Sequence, residues 1–289
     1  KGHCYAMPVC ERIKRFADGV YAYCNPKSSS GRVDMHVRLL VDRSSRYDAA
    51  EKTYSGPLWL LVIPKTFSVW VSPGLSFNQL RFFTQDTRFD EFNLEMNFNG
   101  LLFDHSGRKI EYRDQRHSDR DGSILLPLGL DFPVPGFEAV ETGEPLDLSI
   151  KSHYDPRRFF REVNLQDGAI TLVLGTFYIL STDYRVRVPA EFACEMRPMD
   201  ERSGDLRSHY AGFIDPGWGV GVDGSGTGRT LTLEVRSFDK SIIIQHGQPI
   251  AKIRYETMYD VPELHYDQMS PTYGEQDGPK LGKQFLPWK

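Results

Sequence analysis

The sequence predicts an all-β fold made of two tandem copies of one compact β barrel or sandwich, with few short helices. Three observations carry this: a self-similarity at a constant offset, many short β-branched runs broken by Gly and Pro, and weak helical periodicity. Tyr5 and Tyr178, Ala17 and Ala190, Asp42 and Asp215, Gly74 and Gly247, and Arg81 and Arg254 all lie 173 positions apart. Chance supplies one such pair, not five anchors at one offset. We therefore read a duplicated domain, with the first copy over 1–89 and the second, carrying a tail that acts as a lid, over 90–289. Copy two has a segment ahead of its repeat that copy one lacks, so a comparable N-terminal piece is expected before Lys1.

The elements follow from local pattern. "GPLWLLVIPKTFSVWVSPGLSFNQLRF" (56–82) and "RTLTLEVRSFDKSIIIQHGQPIAKIRY" (229–255) match in length and in strand-like alternation. "ITLVLGTFYILS" (170–181) is expected to be an apolar strand pair. The best short helix candidate is "DPRRFFREV" (155–163), with Asp155 as its cap. The charged segment 90–123 between the copies is expected to be a solvated linker plus an edge hairpin.

Composition narrows the function classes. A net charge of -4 argues against a nucleic-acid coat, so an anionic ligand must be met by local cations. No apolar run reaches the ~18 residues needed to span a bilayer. Cys4, Cys10, Cys24 and Cys194 form no C-x-x-C pair, and three lie in strand-like stretches where cysteine behaves as a small hydrophobe. A reduced, cytoplasmic protein is expected.

Two motifs carry chemistry. "NPKSSSGR" (25–32) places three hydroxyls between Lys27 and Arg32, with Gly31 letting the backbone bend. It suits a phosphate oxygen, or it is a solvated Asn-Pro turn. The counterpart "ERSGDLR" (201–207) has lost two serines and gained acids. The second motif is "HYAGFIDPGWG" (209–219), followed by "TLTLEV" (230–235). Alternation puts Leu231, Leu233 and Val235 on one strand face and Thr232 and Glu234 on the other. Glu234 then either faces water or belongs to a site; copy one has Leu61 there. One copy keeps the hydroxyls and the other the carboxylate, which suggests one composite site. "GVGVDG" (219–224) matches a dinucleotide fingerprint but lacks a following helix pattern, and "GPKLGK" (278–283) is one residue short of a Walker loop.

Together, "PKSSSGR", "IDPGW" and "LTLEV" resemble the dCTP deaminase branch of the trimeric dUTPase superfamily, and the duplicated layout resembles its long two-domain members. The resemblance implies two dUTPase-like (β-clip) distorted barrels, a homotrimer, and hydrolytic deamination of dCTP to dUTP and ammonia. It also implies residue roles. Ser28, Ser29, Ser30, Gly31 and Arg32, with Lys27 where an Arg is usual, would hold the triphosphate, Ser28 and Arg32 also supporting catalysis. Asp215 and Trp218 would lie against sugar and base, and Glu234 would activate the attacking water. "YGEQDG" (273–278) resembles the tail pattern that folds over the nucleotide, giving Tyr273 and Gln276, with Lys280 as a tail cation.

Mg2+ would accompany the triphosphate. No zinc is expected, because no histidine begins H-x-E and no C-x-x-C occurs. The sequence departs from the family pattern further: "GVGVDGSGTG" (219–228) stretches the Asp215-to-Glu234 spacing, copy one lacks the Glu, and Gly212 and Phe213 stand where an Arg often precedes the turn. Alternative readings are a dUTP pyrophosphatase, an enzyme doing both reactions, or an inactive nucleotide-binding regulator.

Overall fold

The computed structural model describes residues 1–199, 206–207, 212–238, 240–269 and 273–289, the side chains of 206–207 excepted. Among them are twenty strands and two short α-helices, Ser28–Gly31 and Glu91–Asn97. The all-β expectation holds.

The duplication is visible as register. Tyr5–Ile13 pairs antiparallel with Gly56–Pro64, matching Tyr5 to Val62, Met7 to Leu60 and Pro8 to Trp59. Phe177–Val186 pairs with Arg229–Ser237, matching Tyr178 to Val235, Leu180 to Leu233 and Ser181 to Thr232. Each partner is displaced by 173, and both ladders slip at the same place, Pro8 to Arg12 and Ser181 to Arg185. A one-residue error would turn every side chain to the wrong face; Leu58, Leu60 and Val62 are buried, as are their equivalents Leu231, Leu233 and Val235. The next ladder is shifted by one: Tyr23 faces Arg81, while Glu195, not the equivalent Met196, faces Arg254.

Two apolar cores result. One belongs to copy two and includes Leu231, Leu233, Val235 and Tyr255. The other is centred on copy one, with Val37, Leu60, Val62 and Phe67, but is completed by Phe159, Phe160 and Phe177 and by the tail residues Leu281 and Phe285. The copies therefore share a core boundary, which fixes how their strands face each other.

Four local expectations are corrected. Segment 90–123 is no solvated linker. Asp90 caps the helix Glu91–Asn97 by accepting from the Asn93 amide at 2.8 Å. Leu94, Phe98, Leu101 and Leu102 are buried in the second core. Asp155 does cap, but only a 3-10 turn at Pro156–Arg158; the chain then straightens into the strand Phe160–Glu162. Phe159 and Phe160 are both buried. The strands of 170–181 do not pair with each other, since Ala169–Leu172 joins Ile242–Gln245. Finally, Cys4 and Cys10 are exposed, and only Cys24 and Cys194 are buried. No helix among the described residues is long and apolar enough to cross a membrane.

Candidate active site

The hydroxyl motif forms a single helical turn. The Ser30 and Gly31 amides donate to the Lys27 carbonyl at 2.8 and 3.3 Å, and the Arg32 amide donates to Ser28 at 3.0 Å. Small side chains let this turn pack without steric cost. The Ser30 hydroxyl donates to the Phe77 carbonyl at 3.1 Å, so it fastens the turn to its own barrel rather than facing a ligand. Gly31 lies directly against Glu234 of the other copy. A Cβ there would stand 2.8 Å from Glu234 Cδ and 3.0 Å from both carboxylate oxygens.

Glu234 comes from the central copy-two strand Arg229–Ser237. Leu231, Leu233 and Val235 enter the copy-two core, as the alternation required. The opposite face is not watery: Glu234 is only 2% exposed, because it meets copy one instead of solvent. The Asp215-Pro-Gly turn closes another side, with the Trp218 amide donating to the Asp215 carbonyl at 3.2 Å. Gly217 adopts a φ of 90° and any Cβ would sit 2.4 Å from His265, so this turn requires glycine. Burial pushes the Asp215 carboxyl above the usual carboxylate range, while Lys27 and Arg81 pull it back. Tyr266, its ring 5.3 Å from that of Trp218, is pushed up to about 12 by burial, with Asp215 adding to the rise.

The tail completes the enclosure. Arg32, 3% exposed, donates to Gln276 at 2.6 Å and to the Lys280 carbonyl at 2.9 Å. Its guanidinium lies 3.8 Å over the Tyr273 ring. Gln276 in turn donates to the Thr230 carbonyl at 2.7 Å, and the Gly278 amide donates to the Thr230 hydroxyl at 2.7 Å. Tyr273, Leu281 and Phe285 are buried, so the tail is better anchored than its Gly- and Pro-rich sequence implied.

Ser28, Arg32, Asp215, Trp218, Glu234, Tyr273 and Gln276 thus line one cavity of about 50 Å3. The hydroxyl turn and the carboxylate reach it from a single chain. Lys27, Ser29, Ser30, Gly31 and Lys280 are not among its lining residues. Lys280 and Lys283 line an adjoining tail cavity with Lys151. Burial and Arg32 push Lys280 down; burial, Lys151 and Lys27 push Lys283 down. A set of cations that disfavour one another's charge beside the cavity is an anion-binding arrangement.

Sequence reasoning missed Phe213, Tyr266 and the side chain of Thr232 as lining groups. Thr232 could have been found, since it shares a strand face with Glu234. Its hydroxyl is buried without a hydrogen-bond partner among the described residues, as are Trp218 Nε1 and Arg32 Nε. Unsatisfied buried donors cost about 1–3 kcal/mol each. Several gathered at one cavity point to a polar ligand.

Fold and site together define a duplicated, dUTPase-like β protein with one enclosed polar site beside a cluster of cations. The chain belongs to the 2'-deoxycytidine 5'-triphosphate deaminase family: residues 1–86 match that family's N-terminal domain and residues 105–285 its C-terminal domain. It is also similar to the crystal structure of 2'-deoxycytidine 5'-triphosphate deaminase from Agrobacterium tumefaciens. The identity is 30% and the TM-score 0.76, covering 90% of this chain and 75% of that one. No curated protein sequence matches it.

Proposed function

We propose that the chain deaminates dCTP hydrolytically to dUTP and ammonia, with Glu234 as the proton carrier. Family membership supports the substrate. The observation that carries the mechanism is the Glu234 carboxylate, 2% exposed and seated on the hydroxyl turn of the other copy. Attack at pyrimidine C4 needs a deprotonated water, then a proton at N3 and another on the departing amine. A positioned carboxyl can pass the first proton from water to N3, then pass the proton of the new C4 hydroxyl to the amine, which leaves as ammonia as the C4 carbonyl forms. Ser28 lines the cavity, and its hydroxyl would stabilise the developing tetrahedral centre. Arg32 supplies the paired donors that suit a phosphate, with Lys27, Lys280 and Lys283 adding charge nearby. Asp215 and Trp218 form the wall proposed for sugar and base.

Mg2+ enters as the counter-ion of the triphosphate. Among the described residues no three His, Cys, Asp or Glu side chains gather as a metal cluster, so phosphate oxygens would hold it. The family resemblance also supports a homotrimer, which light scattering checks.

The decisive assay separates ammonia from pyrophosphate, with dCTP and dUTP offered in turn. Ammonia from dCTP without pyrophosphate is expected; pyrophosphate from dUTP without ammonia would replace the reading with a pyrophosphatase. Glu234→Gln keeps the shape but cannot carry the proton. It should fold, bind dCTP and lose ~10²–10⁴-fold in turnover; near-parental turnover would remove Glu234 from the mechanism.

A further inference from the structure

A second polar side chain stands on the same strand face as Glu234. Arg236 follows two residues later, so both project from Arg229–Ser237 toward copy one. The equivalent copy-one positions, 173 earlier, hold Leu61 and Ile63. Copy two therefore carries a carboxylate and a guanidinium where copy one has two aliphatic side chains. The guanidinium forms an ion pair with the Asp34 carboxylate, their side chains being 11% and 0% exposed.

Asp34 is placed with unusual constraint. Its backbone has a φ of 53°, a left-handed conformation that non-glycine residues seldom adopt. Its amide donates to the Gly31 carbonyl at 2.8 Å, closing the hydroxyl turn from behind. Its own carbonyl accepts from the Lys65 amide at 3.0 Å, and its carboxylate accepts from the Thr66 hydroxyl at 2.6 Å. Arg236 also donates to the Thr66 hydroxyl, at 2.7 Å. The strand thus meets the segment 31–34 at two points: Glu234 at Gly31, and Arg236 at Asp34. Two contacts fix a sliding register where one would leave it free.

We infer that Asp34 and Arg236 are positioning residues, whose ion pair holds the copy-one hydroxyl turn in register against Glu234. The inference rests on the reading of Glu234 as proton carrier. Neither residue lines the cavity, so the pair acts through placement and not through contact with nucleotide. Errors near 1 Å in a catalytic group can cost ~10²-fold in rate. Loss of the pair should therefore fall on kcat more than on dCTP binding.

The test uses the full chain and dCTP-dependent ammonia release. Asp34→Asn keeps the side-chain shape and tolerates the left-handed backbone while removing the charge. We expect kcat to fall about tenfold or more, on the scale set by misplacement, with KM for dCTP little changed. Breaking one half of a buried pair can unfold a protein, so a second variant replaces both. Asp34→Gly with Arg236→Ile frees the backbone and copies the aliphatic residue of copy one, and the same kcat loss is expected at an unchanged thermal midpoint. Each is repeated in the Glu234→Gln background, where residues acting through Glu234 should cost nothing further. Parental kcat in the folded double variant overturns the inference, as does a loss that multiplies in full with Glu234→Gln. If Glu234→Gln alone turns over normally, the reading of Glu234 fails first, and the positioning role falls with it.

Discussion

Gly31→Ala tests the composite site with a single methyl group. Gly31 has no positive φ and ends a helical turn, so alanine can take its backbone, and Gly-to-Ala exchange at compatible sites adds ~0.4–1 kcal/mol of stability. The new Cβ would stand 2.8 Å from Glu234 Cδ, whereas ordinary contact begins at 3.4 Å. The carboxylate must therefore retreat by about 0.6 Å (3.4 less 2.8). With ~10²-fold lost per ångström of misplacement, that retreat predicts a kcat about 15-fold lower, or ~1.6 kcal/mol of barrier. The assay is ammonia release over a range of dCTP concentrations, alongside a thermal melt. The expected result is a lower kcat with a midpoint equal to the parent's or higher. Unchanged kcat in a folded Gly31→Ala protein would refute the claim that the carboxylate works from its seat on the turn.

Other variants address the remaining parts. Arg32→Ala removes donors to Gln276 and Lys280 as well as to phosphate; calorimetry should show dCTP binding weakened by ~1.5–3 kcal/mol, and parental affinity would reduce the motif to a turn. A mixture of Arg32→Ala and Glu234→Gln chains should regain no activity, because both groups reach the cavity from one chain; recovery on mixing would place the working site between chains. Burial raises the Asp215 pKa, so its folded form holds a proton more tightly than the unfolded chain does. Stability is then lost as pH rises through the folded value and is fully present only below the unfolded one. Melts of Asp215→Asn should accordingly exceed the parent at neutral pH, with the advantage fading as pH falls toward the ordinary carboxylate value, while activity drops. An advantage that persists at low pH would show that Asp215 is not held at a desolvation cost.

The barrels were legible because their signal is local and repeated twice. Alternation in "TLTLEV" assigned faces correctly, and the 173-residue offset reproduces the register of the ladder between Tyr5–Ile13 and Gly56–Pro64. Seven nominated residues share the cavity because each belongs to a rigid strand, a turn or the anchored tail. What was not legible depended on contact between distant segments. The burial of Glu234 comes from copy one lying across its face, and the Arg236–Asp34 pair spans 202 positions. The helix Glu91–Asn97 is a different kind of miss. Asp90 stands at its cap, and Leu94, Phe98 and Leu101 follow at helical spacing; the surrounding charges masked a pattern that was present.

The tail is held at both sides of the stretch that covers Arg32. Upstream, the Tyr266 amide donates to the Pro216 carbonyl at 2.9 Å; downstream, the Ser152 amide donates to the Lys283 carbonyl at 2.9 Å and Phe285 is buried. Residues 273–283 lie over Arg32 as a strap, joined to the barrel by the bonds of Gln276 and Gly278 to Thr230. Its hold on Arg32 uses the donors that a phosphate would claim. If Arg32 takes the phosphate as proposed, nucleotide binding is an exchange, in which the protein's own amide and carbonyl oxygens are traded for phosphate oxygens. The affinity measured from outside is the difference between the two grips, so strap residues that never touch a nucleotide still set how tightly one is held.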